Sequence, residues 1–260
     1  MSAPSPSAHA PSMQTNIHEI ADGVYRLSTV VPEAAPGGFT FNQYLLTGDE
    51  PMLFHTGARR LFPLVSDAVA KVMGVDRLRW ISFGHVESDE SGAMNLWLDA
   101  APAAEVTFNP LGCMVSLDDL CDRAPIADTG SPRDLGGHTV VTIPTPHVPH
   151  GWEAQVMFDE TTRTLFCGDL FTQMGAAPAL VHDADVIQPA IDAEDVFGAT
   201  ALTPDTAPTI RRLAELEPRT LALMHGPAYA GDCRAALLDL ADVYDARVAA
   251  ASESTPAGAI

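Results

Sequence analysis

Short β-rich runs alternate with helical segments along this chain, and their order constrains the fold more than any other feature. The runs GVYRLSTVV, FTFNQYLLTGDEP and MLFHTG follow one another with only turn residues between them. This spacing predicts an antiparallel meander from Ile17 onward. Strands and helices then alternate as far as HTVVTIPTP, and the chain ends with a hairpin and two more helices. One domain with helices packed over stacked sheets fits this order best.

The apolar periodicity places the individual elements. The predicted helices are FPLVSDAVAKVMGV, SGAMNLWLDAAP, LGCMVSLDDLCD, TAPTIRRLAELEP and GDCRAALLDLADVYDARVAAA. The later strands are LRWISFGH, AEVTFN, HTVVTIPTP, the hairpin EAQVMFD and RTLFCGD, and TLALMHG. Residues 123–137 are predicted as a loop, and 172–203 show no clear pattern. Residues 1–15 and 253–260 are predicted to be disordered tails around a single domain at 16–252.

The charge balance limits the partners that this chain can have. Its 14 Lys and Arg residues against 34 Asp and Glu give a net charge of −20, which repels nucleic acid and anionic membranes. Every apolar run is too short to span a bilayer. The N-terminus lacks the features of a secretory signal, and the four cysteines form no CxxC pair, so we expect a cytoplasmic protein in a reducing compartment.

Three side chains with metal-binding chemistry follow the apolar strand LRWISFG. They are His85, Glu87 and Asp89, in the segment HVESDES. Loops at the carboxyl ends of strands commonly carry ligands, and imidazole with carboxylates suits a transition metal. An isolated HxExD can equally be an ordinary polar loop, so the rest of the chain decides its interpretation.

Three further residues of this kind stand at or just beyond the ends of other strands. His150 follows VVTIPTPHVP, Asp169 follows TLFCG, and His225 follows LALM. A carboxylate such as Asp169 can bridge two cations, and six such side chains suffice for two metals about 3.5–4 Å apart. The joint pattern therefore predicts a dinuclear metal site.

Five segments, in a fixed order, carry a family resemblance. They are LFHTG, HVESDESG, PTPHVPHGWE, CGDLFTQ and MHGPAY. Together they resemble the metallo-β-lactamase superfamily, and within it the oxygen-binding diiron branch that includes the catalytic domain of flavodiiron proteins. The resemblance covers about Ile17 to Ala250. It implies an α/β (α+β) fold, the αββα sandwich in which two mixed sheets are flanked by helices.

The resemblance also implies two iron ions joined by a bridging oxygen species. Zinc hydrolases of the superfamily have HxHxDH, whereas the flavodiiron branch has HxExDH, and Glu87 occupies the second position here. A harder oxygen ligand in place of an imidazole favours iron over zinc. Carried over by residue, one iron would bind His85, Glu87 and His150, the other would bind Asp89 and His225, and Asp169 would bridge.

Three residues around this set depart from the family or compete with its ligands. Glu90 stands where the family motif ends in His, so the second iron is expected to have a carboxylate, a water or an open position there. His55 replaces the usual Asp before Thr-Gly. It could be a metal ligand, a proton donor or a structural hydrogen-bonding residue, and we expect the last. His147 competes with His150, but the alignment of HGWEAQVMF with the family's HWPDxMFxY segment favours His150.

The flavin of flavodiiron enzymes is held on a fused flavodoxin domain, and this chain ends soon after the metal-site segments. No bound FMN is therefore expected. The resemblance then implies a non-haem diiron protein that binds, and can reduce, dioxygen or nitric oxide. Such a protein would act as an oxygen sensor or as a flavin-independent oxidoreductase served by an external electron donor. A homodimer and a separate signalling partner are further expectations.

A second function of a different class is compatible with the same ligands. Two zinc or manganese ions could activate a hydroxide that attacks a small thioester, lactone or phosphoester. The negative charge of the chain makes a nuclease an unlikely form of this hydrolase.

Overall fold

The computed structural model describes residues 13–254. The predicted tails at 1–15 and 253–260 therefore fall mostly outside the described residues. The first strand begins at Thr15 and the last helix continues to Ser254, so at both ends regular structure extends slightly beyond the predicted 16–252 boundary.

The first sheet has seven strands arranged in the order of the chain. They are β1 (Thr15–Ala21), β2 (Val24–Val31), β3 (Phe39–Leu46), β4 (Met52–Phe54), β5 (Trp80–Ser82), β6 (Glu105–Phe108) and β7 (Ile126–Ala127). Strands β1 to β4 pair antiparallel, which confirms the predicted meander. Strands β4 to β7 pair parallel through crossover connections, as the alternation of strands and helices indicates.

The second sheet also has seven strands, in the order β12-β14-β13-β11-β10-β9-β8. They are β8 (Arg133–Asp134), β9 (Thr139–Pro144), β10 (Gln155–Asp159), β11 (Thr164–Phe166), β12 (Leu180–Val181), β13 (Thr220–Ala222) and β14 (Ala228–Tyr229). The predicted hairpin is β10 and β11, which pair antiparallel. Strands β11 and β13 pair parallel, so both sheets are mixed, as predicted.

Within residues 13–254, seven α-helices cover the outer faces of the sheets. They are α1 (Phe62–Val72), α2 (Met94–Ala100), α3 (Pro110–Gly112), α4 (Asp118–Leu120), α5 (Ile187–Phe197), α6 (Thr206–Ala214) and α7 (Cys233–Ser254). Short 3₁₀ turns lie at Arg59–Leu61 and Val75–Arg77. Within residues 13–254, no helix has both the length and the apolar character needed to cross a membrane.

Three apolar clusters hold these layers together. The first includes Val65 and Trp97 from the helices under the first sheet, and the second includes Leu165 and Leu237 from the second sheet and its helices. A third cluster lies between the two sheets, where the rings of Tyr44 and Phe166 are 5.3 Å apart. Burying a large apolar side chain contributes about 1.5–3 kcal/mol, so the three clusters stabilise the αββα sandwich predicted above.

Three predicted segments differ from the structure. The helix predicted at LGCMVSLDDLCD is divided, because a π-helical stretch, Cys113–Leu117, separates α3 from α4. The predicted loop at 123–137 contains β7 and β8, which are too short to show a period in the sequence. The unassigned region 172–203 contains α5, whose buried positions are occupied by small alanines, Ala190 and Ala193, that give a weak apolar pattern.

Candidate metal centre

The six predicted ligands lie at one edge of the sandwich, in loops that leave the two sheets. His85, Glu87 and Asp89 follow β5, and His150 lies in the loop between β9 and β10. Asp169 follows β11, and His225 follows β13. The carboxyl ends of parallel strands lie at the same edge of a sheet. Ligands that directly follow such strands are therefore brought together.

Four of the side chains form a first ligand group, defined here as His85, Glu87, His150 and Asp169. Their ligand atoms all lie within 4.8 Å of one another. Nε2 of His85 is 2.7 Å from Oε2 of Glu87 and 3.0 Å from Nε2 of His150. Oδ2 of Asp169 is 3.4 Å from Nε2 of His150. Two imidazole nitrogens and two carboxylates therefore converge on one point.

Asp169 also belongs to a second ligand group, with Asp89 and His225. Nε2 of His225 is 3.3 Å from Oδ1 of Asp169 and 3.3 Å from Oδ2 of Asp89. The two carboxylate oxygens of Asp169 thus face different histidines. This is the arrangement expected of a carboxylate that bridges two cations.

The spacing of most of these atoms is compatible with bound metals. Atoms bound to one ion at 2.0–2.2 Å lie roughly 3–3.5 Å apart, which matches the separations of 3.0 to 3.4 Å given above for the His85–His150, His150–Asp169, His225–Asp169 and His225–Asp89 pairs. Oδ1 of Asp89 and Oδ1 of Asp169 are buried without a hydrogen-bond partner. A buried carboxylate oxygen without a donor is costly, and a cation would satisfy both of these oxygens.

The electrostatics of the cluster also favour added positive charge. Burial opposes protonation of His85, but Glu90, Glu87 and Asp169 outweigh it and raise its pKa to about 12. Burial similarly opposes protonation of His225, but Asp169 and Asp89 raise its pKa to about 10. Hydrogen bonds with His150 and His85 hold the pKa of Glu87 well below its usual value. The negative charge of the carboxylates therefore favours protonated imidazoles in the metal-free cluster. Bound metal ions would replace these protons.

His225 is oriented by residues from the other sheet. Its Nδ1 donates a hydrogen bond of 2.7 Å to the carbonyl of Thr40, which leaves Nε2 free to face the ligand group. The Arg26 guanidinium and the Asn42 amide donate to the carbonyl of Gly226, and the Tyr44 hydroxyl donates to the carbonyl of Leu223. These polar groups are buried between the sheets, and each bond fixes the turn that carries His225.

Glu90 lies behind His85, away from the converging ligand atoms. Its Oε2 is 3.2 Å from Nδ1 of His85, on the opposite edge of the ring from Nε2, and 3.3 Å from Nδ1 of His55. The same oxygen accepts hydrogen bonds from the backbone N–H groups of Gly84 and His85, each 2.7 Å long. Burial opposes ionisation of Glu90, but His55 and His85 hold its pKa well below the usual value. A carboxylate in this place fixes the orientation of a ligand histidine.

Gly84 is needed for this approach. A Cβ at this position would lie 2.9 Å from Oε2 of Glu90 and 3.2 Å from the carbonyl of Gln155. Glu90 is fully buried and held by two backbone donors, so it has little room to shift. The glycine thus allows the carboxylate to reach the backbone behind His85.

The three residues that depart from the family motif or compete with its ligands differ in their surroundings. His55 and Glu90 form a fully buried pair, and His55 adopts a positive φ of 65°. His147 is exposed on the loop that carries His150, and within residues 13–254 its imidazole makes no polar contact with the cluster. Arg26 and Asn42, which hold the turn that carries His225, were not identified from the sequence because no ligand-type motif lies near them in the chain.

A cavity of about 210 Å³ opens next to the second ligand group. Asp89, Asp169 and His225 form one side, and the remaining wall comes largely from α5 and from aromatic side chains. The rings of Phe39 and His225 stack with their centroids 4.3 Å apart. Glu87 of the first ligand group also lines this cavity, so the cavity borders both groups.

Comparisons with known proteins identify a matching family profile and several relatives. The sequence profile described as "ODP family beta lactamase" matches residues 39–226, which include all six predicted ligands. Among curated proteins, the chain is 27% identical over 199 residues to "Putative diflavin flavoprotein A 3" of Nostoc sp. strain PCC 7120. That match covers 73% of this chain but 34% of the relative, so the chain spans about a third of that protein's length.

Solved structures show the same fold. Rubredoxin oxygen:oxidoreductase from Desulfovibrio gigas superposes with a TM-score of 0.76 at 17% identity, covering 88% of this chain and 62% of that one. A fragment, residues 1–254, of putative diflavin flavoprotein A 5 from Nostoc sp. strain PCC 7120 superposes with a TM-score of 0.75 at 17% identity. Here the match covers 90% of this chain and 99% of the fragment. The fold predicted from the motifs is thus confirmed as that of flavodiiron cores.

Proposed function

Because this chain belongs to the ODP family of β-lactamase-fold proteins, we propose that it binds two iron ions and takes up dioxygen or nitric oxide at them. The observation that carries the proposal is the position of Asp169. One of its carboxylate oxygens faces His150 and the other faces His225. A single carboxylate placed between two histidine groups is suited to two metals rather than one.

The choice of iron rests on the first ligand group. Glu87 supplies an oxygen where a zinc hydrolase of the superfamily would supply an imidazole, and the donor set of His85, Glu87, His150 and Asp169 mixes two imidazoles with two carboxylates. Such a set suits iron that changes its oxidation state. The name of the Desulfovibrio relative, an oxygen:oxidoreductase, supports the same class of chemistry.

The two metal positions are proposed to be unequal. The first has four protein ligands. The second has Asp89, Asp169 and His225, since the Glu90 carboxylate is engaged by the backbone and by two histidines. A position with fewer protein ligands keeps room for an exogenous ligand. Asp89 and His225 both line the cavity, whereas His85 and His150 of the first group do not, which makes the second metal the proposed entry point for a diatomic gas.

The protein residues orient and shield the metals, and iron supplies the electrons when it is bound. His225 is aimed by Thr40, and His85 by Glu90. The aromatic side chains Phe39 and Phe171 line the approach to the second position and limit the access of water.

We propose binding or sensing of the gas rather than sustained reduction by this chain alone. Reduction of dioxygen needs a continuing supply of electrons, because a pair of irons cannot renew the electrons that it gives up. Reductase activity would therefore depend on a flavin domain or on an external donor.

The test is a stopped-flow oxygen titration of the anaerobically purified, iron-loaded chain. The proposal predicts uptake that saturates at about one dioxygen per pair of irons and continues only when a reductant is added. His147→Ala serves as a control that should behave like the wild type, because His147 is exposed. Absence of any spectral or stoichiometric response to oxygen would contradict the proposal.

A further inference from the structure

The cavity beside the second ligand group is larger than a diatomic gas requires. Its volume is about 210 Å³, whereas one water molecule occupies roughly 30 Å³ in the liquid. Much of its wall is apolar, with Phe39, Phe171 and Phe197 among the lining side chains. Concave, mostly apolar spaces with a few polar groups are typical of sites for small organic molecules.

The charges in the wall restrict what could bind there. Three acidic residues, Glu87, Asp89 and Asp169, belong to the metal ligand groups and would be balanced by the metals. Glu194 is the remaining charged residue of the lining, which contains neither Lys nor Arg. An anion would therefore be repelled at this part of the wall, while a cation would be attracted.

Glu194 is held in place by two neighbours in the same cavity. Its Oε2 accepts a hydrogen bond of 2.8 Å from the Thr200 hydroxyl, and the Tyr244 hydroxyl lies 2.7 Å from that of Thr200. The backbone N–H of Thr200 donates to Oε1 of Glu194. A salt bridge of 2.6 Å between Asp195 and Arg247 joins α5 to α7 beside this network. The carboxylate is thus fixed before any ligand arrives.

We propose that this cavity binds a small organic amine in its protonated form. The ammonium group would pair with Glu194, and the apolar body would lie against Phe39, Phe171 and Phe197. Aromatic faces also attract cations, so the same wall suits both parts of such a molecule. The proposal rests on the proposed metal site only because two metals would balance the other carboxylates.

The test uses benzylamine as the probe, with benzyl alcohol as a neutral analogue of the same size. Binding to the zinc-loaded chain is measured by isothermal titration calorimetry, and contact by saturation-transfer NMR. Zinc keeps the site free of redox changes. We expect saturable binding of benzylamine with a Kd on the order of 1 mM, a reasonable affinity for eight non-hydrogen atoms, with weaker binding of the alcohol.

Two variants and one control variant test whether the probe binds in this cavity. Glu194→Gln keeps the size of the side chain but removes its charge, and should weaken benzylamine about fivefold or more while changing benzyl alcohol little. Asp192→Asn removes a charge from the exposed face of the same helix, where Asp192 accepts a hydrogen bond from Gln188, and should leave binding unchanged. Ala193→Leu would fill the cavity and abolish binding of both probes, with folding checked by circular dichroism.

The result that overturns the inference is equal benzylamine affinity in Glu194→Gln and the wild type, equal affinity for benzylamine and benzyl alcohol, or no saturable binding. Metal content is measured on the same samples. Failure to bind benzylamine in a chain that holds two metals would remove this inference and leave the diiron proposal standing. Benzylamine binding by a zinc-loaded chain that acquires no iron would remove the diiron proposal and leave this inference standing.

Discussion

Glu90 and His55 form a fully buried pair, with Oε2 of the carboxylate 3.3 Å from Nδ1 of the imidazole. By the resemblance, the family places an imidazole at position 90 and a carboxylate at position 55, so the two side-chain types are exchanged here. The exchange keeps one acid and one imidazole in contact. It also places the carboxylate at position 90 beside His85, 3.2 Å from its Nδ1.

Glu90→Gln should therefore destabilise the chain strongly. It removes the charge that faces His55 and His85 while leaving both histidines buried. Breaking one partner of a buried pair typically costs about 3–5 kcal/mol. Urea unfolding of the metal-free variant measures this loss, and Glu160→Gln, at an exposed position, is the matched control. Equal midpoints for the two variants would show that the buried pair contributes nothing to stability.

Substitution of single ligands should separate the two metal positions. His150→Ala should deplete the first metal and His225→Ala the second, whereas Asp169→Asn should weaken both because its oxygens face both groups. Substituting residues that merely support a ligand already costs about 10–100-fold in affinity, so loss of a ligand should cost at least as much. Elemental analysis of anaerobically prepared protein measures the content. Full occupancy in Asp169→Asn would contradict the bridging role.

Metal binding should release protons and strengthen as the pH rises. Neighbouring carboxylates raise the pKa of His85 to about 12 and that of His225 to about 10, so both are protonated in the metal-free protein at pH 7. Each must lose its proton to bind a metal. Calorimetry in buffers of different ionisation enthalpy should give about two or more protons released per chain. Binding without proton release would show that the two imidazoles are not ligands.

The same pKa values predict the pH dependence of stability without metal. A histidine whose pKa is raised in the folded state contributes its full stabilisation of the fold below its unfolded-state pKa of about 6.5. This stabilisation is lost as the pH rises through the folded value, which is about 10 for His225. The unfolding free energy of the metal-free chain should therefore fall from pH 6.5 to 10, and the metal-loaded chain should change less. A rise over this range would contradict the assignment.

Tyr44→Phe tests whether the Tyr44 hydroxyl stabilises the turn that carries His225. The substitution deletes the hydroxyl that donates to Leu223 but leaves the ring in the core between the sheets. Asn42 still donates to the same carbonyl, so the cost should be about 0.5–1.5 kcal/mol. The affinity of the second metal should fall with it. Tyr25→Phe, at a partly exposed position, should cost less, and equal effects would argue against a bracing role.

Local rules in the sequence predicted helices over stacked sheets and gathered the ligand candidates, whereas the αββα sandwich was implied by the family resemblance. His85, Asp169 and His225 each follow an apolar strand, and the carboxyl ends of neighbouring strands meet at one edge. The order of the five motifs then supplied the family. These features needed no knowledge of how distant side chains touch.

The supporting contacts could not be predicted in this way. Arg26 reaches the carbonyl of Gly226 across 200 positions of the chain, and no spacing rule connects them. The role of Glu90 depends on which edge of the His85 ring it faces, which is set by tertiary packing. Helix α5 was missed because Ala190 and Ala193 are too small to mark a buried face, and with it the cavity and Glu194 remained unseen.

Metal analysis of the chain purified without air, followed by its absorption spectrum before and after oxygen is admitted, tests whether the chain holds an oxygen-binding diiron site. We expect about two irons per chain and a new visible band on exposure to oxygen, both lost in Asp169→Asn. Zinc or manganese at the site, with no spectral response to oxygen, would contradict the diiron proposal and favour a two-metal hydrolase.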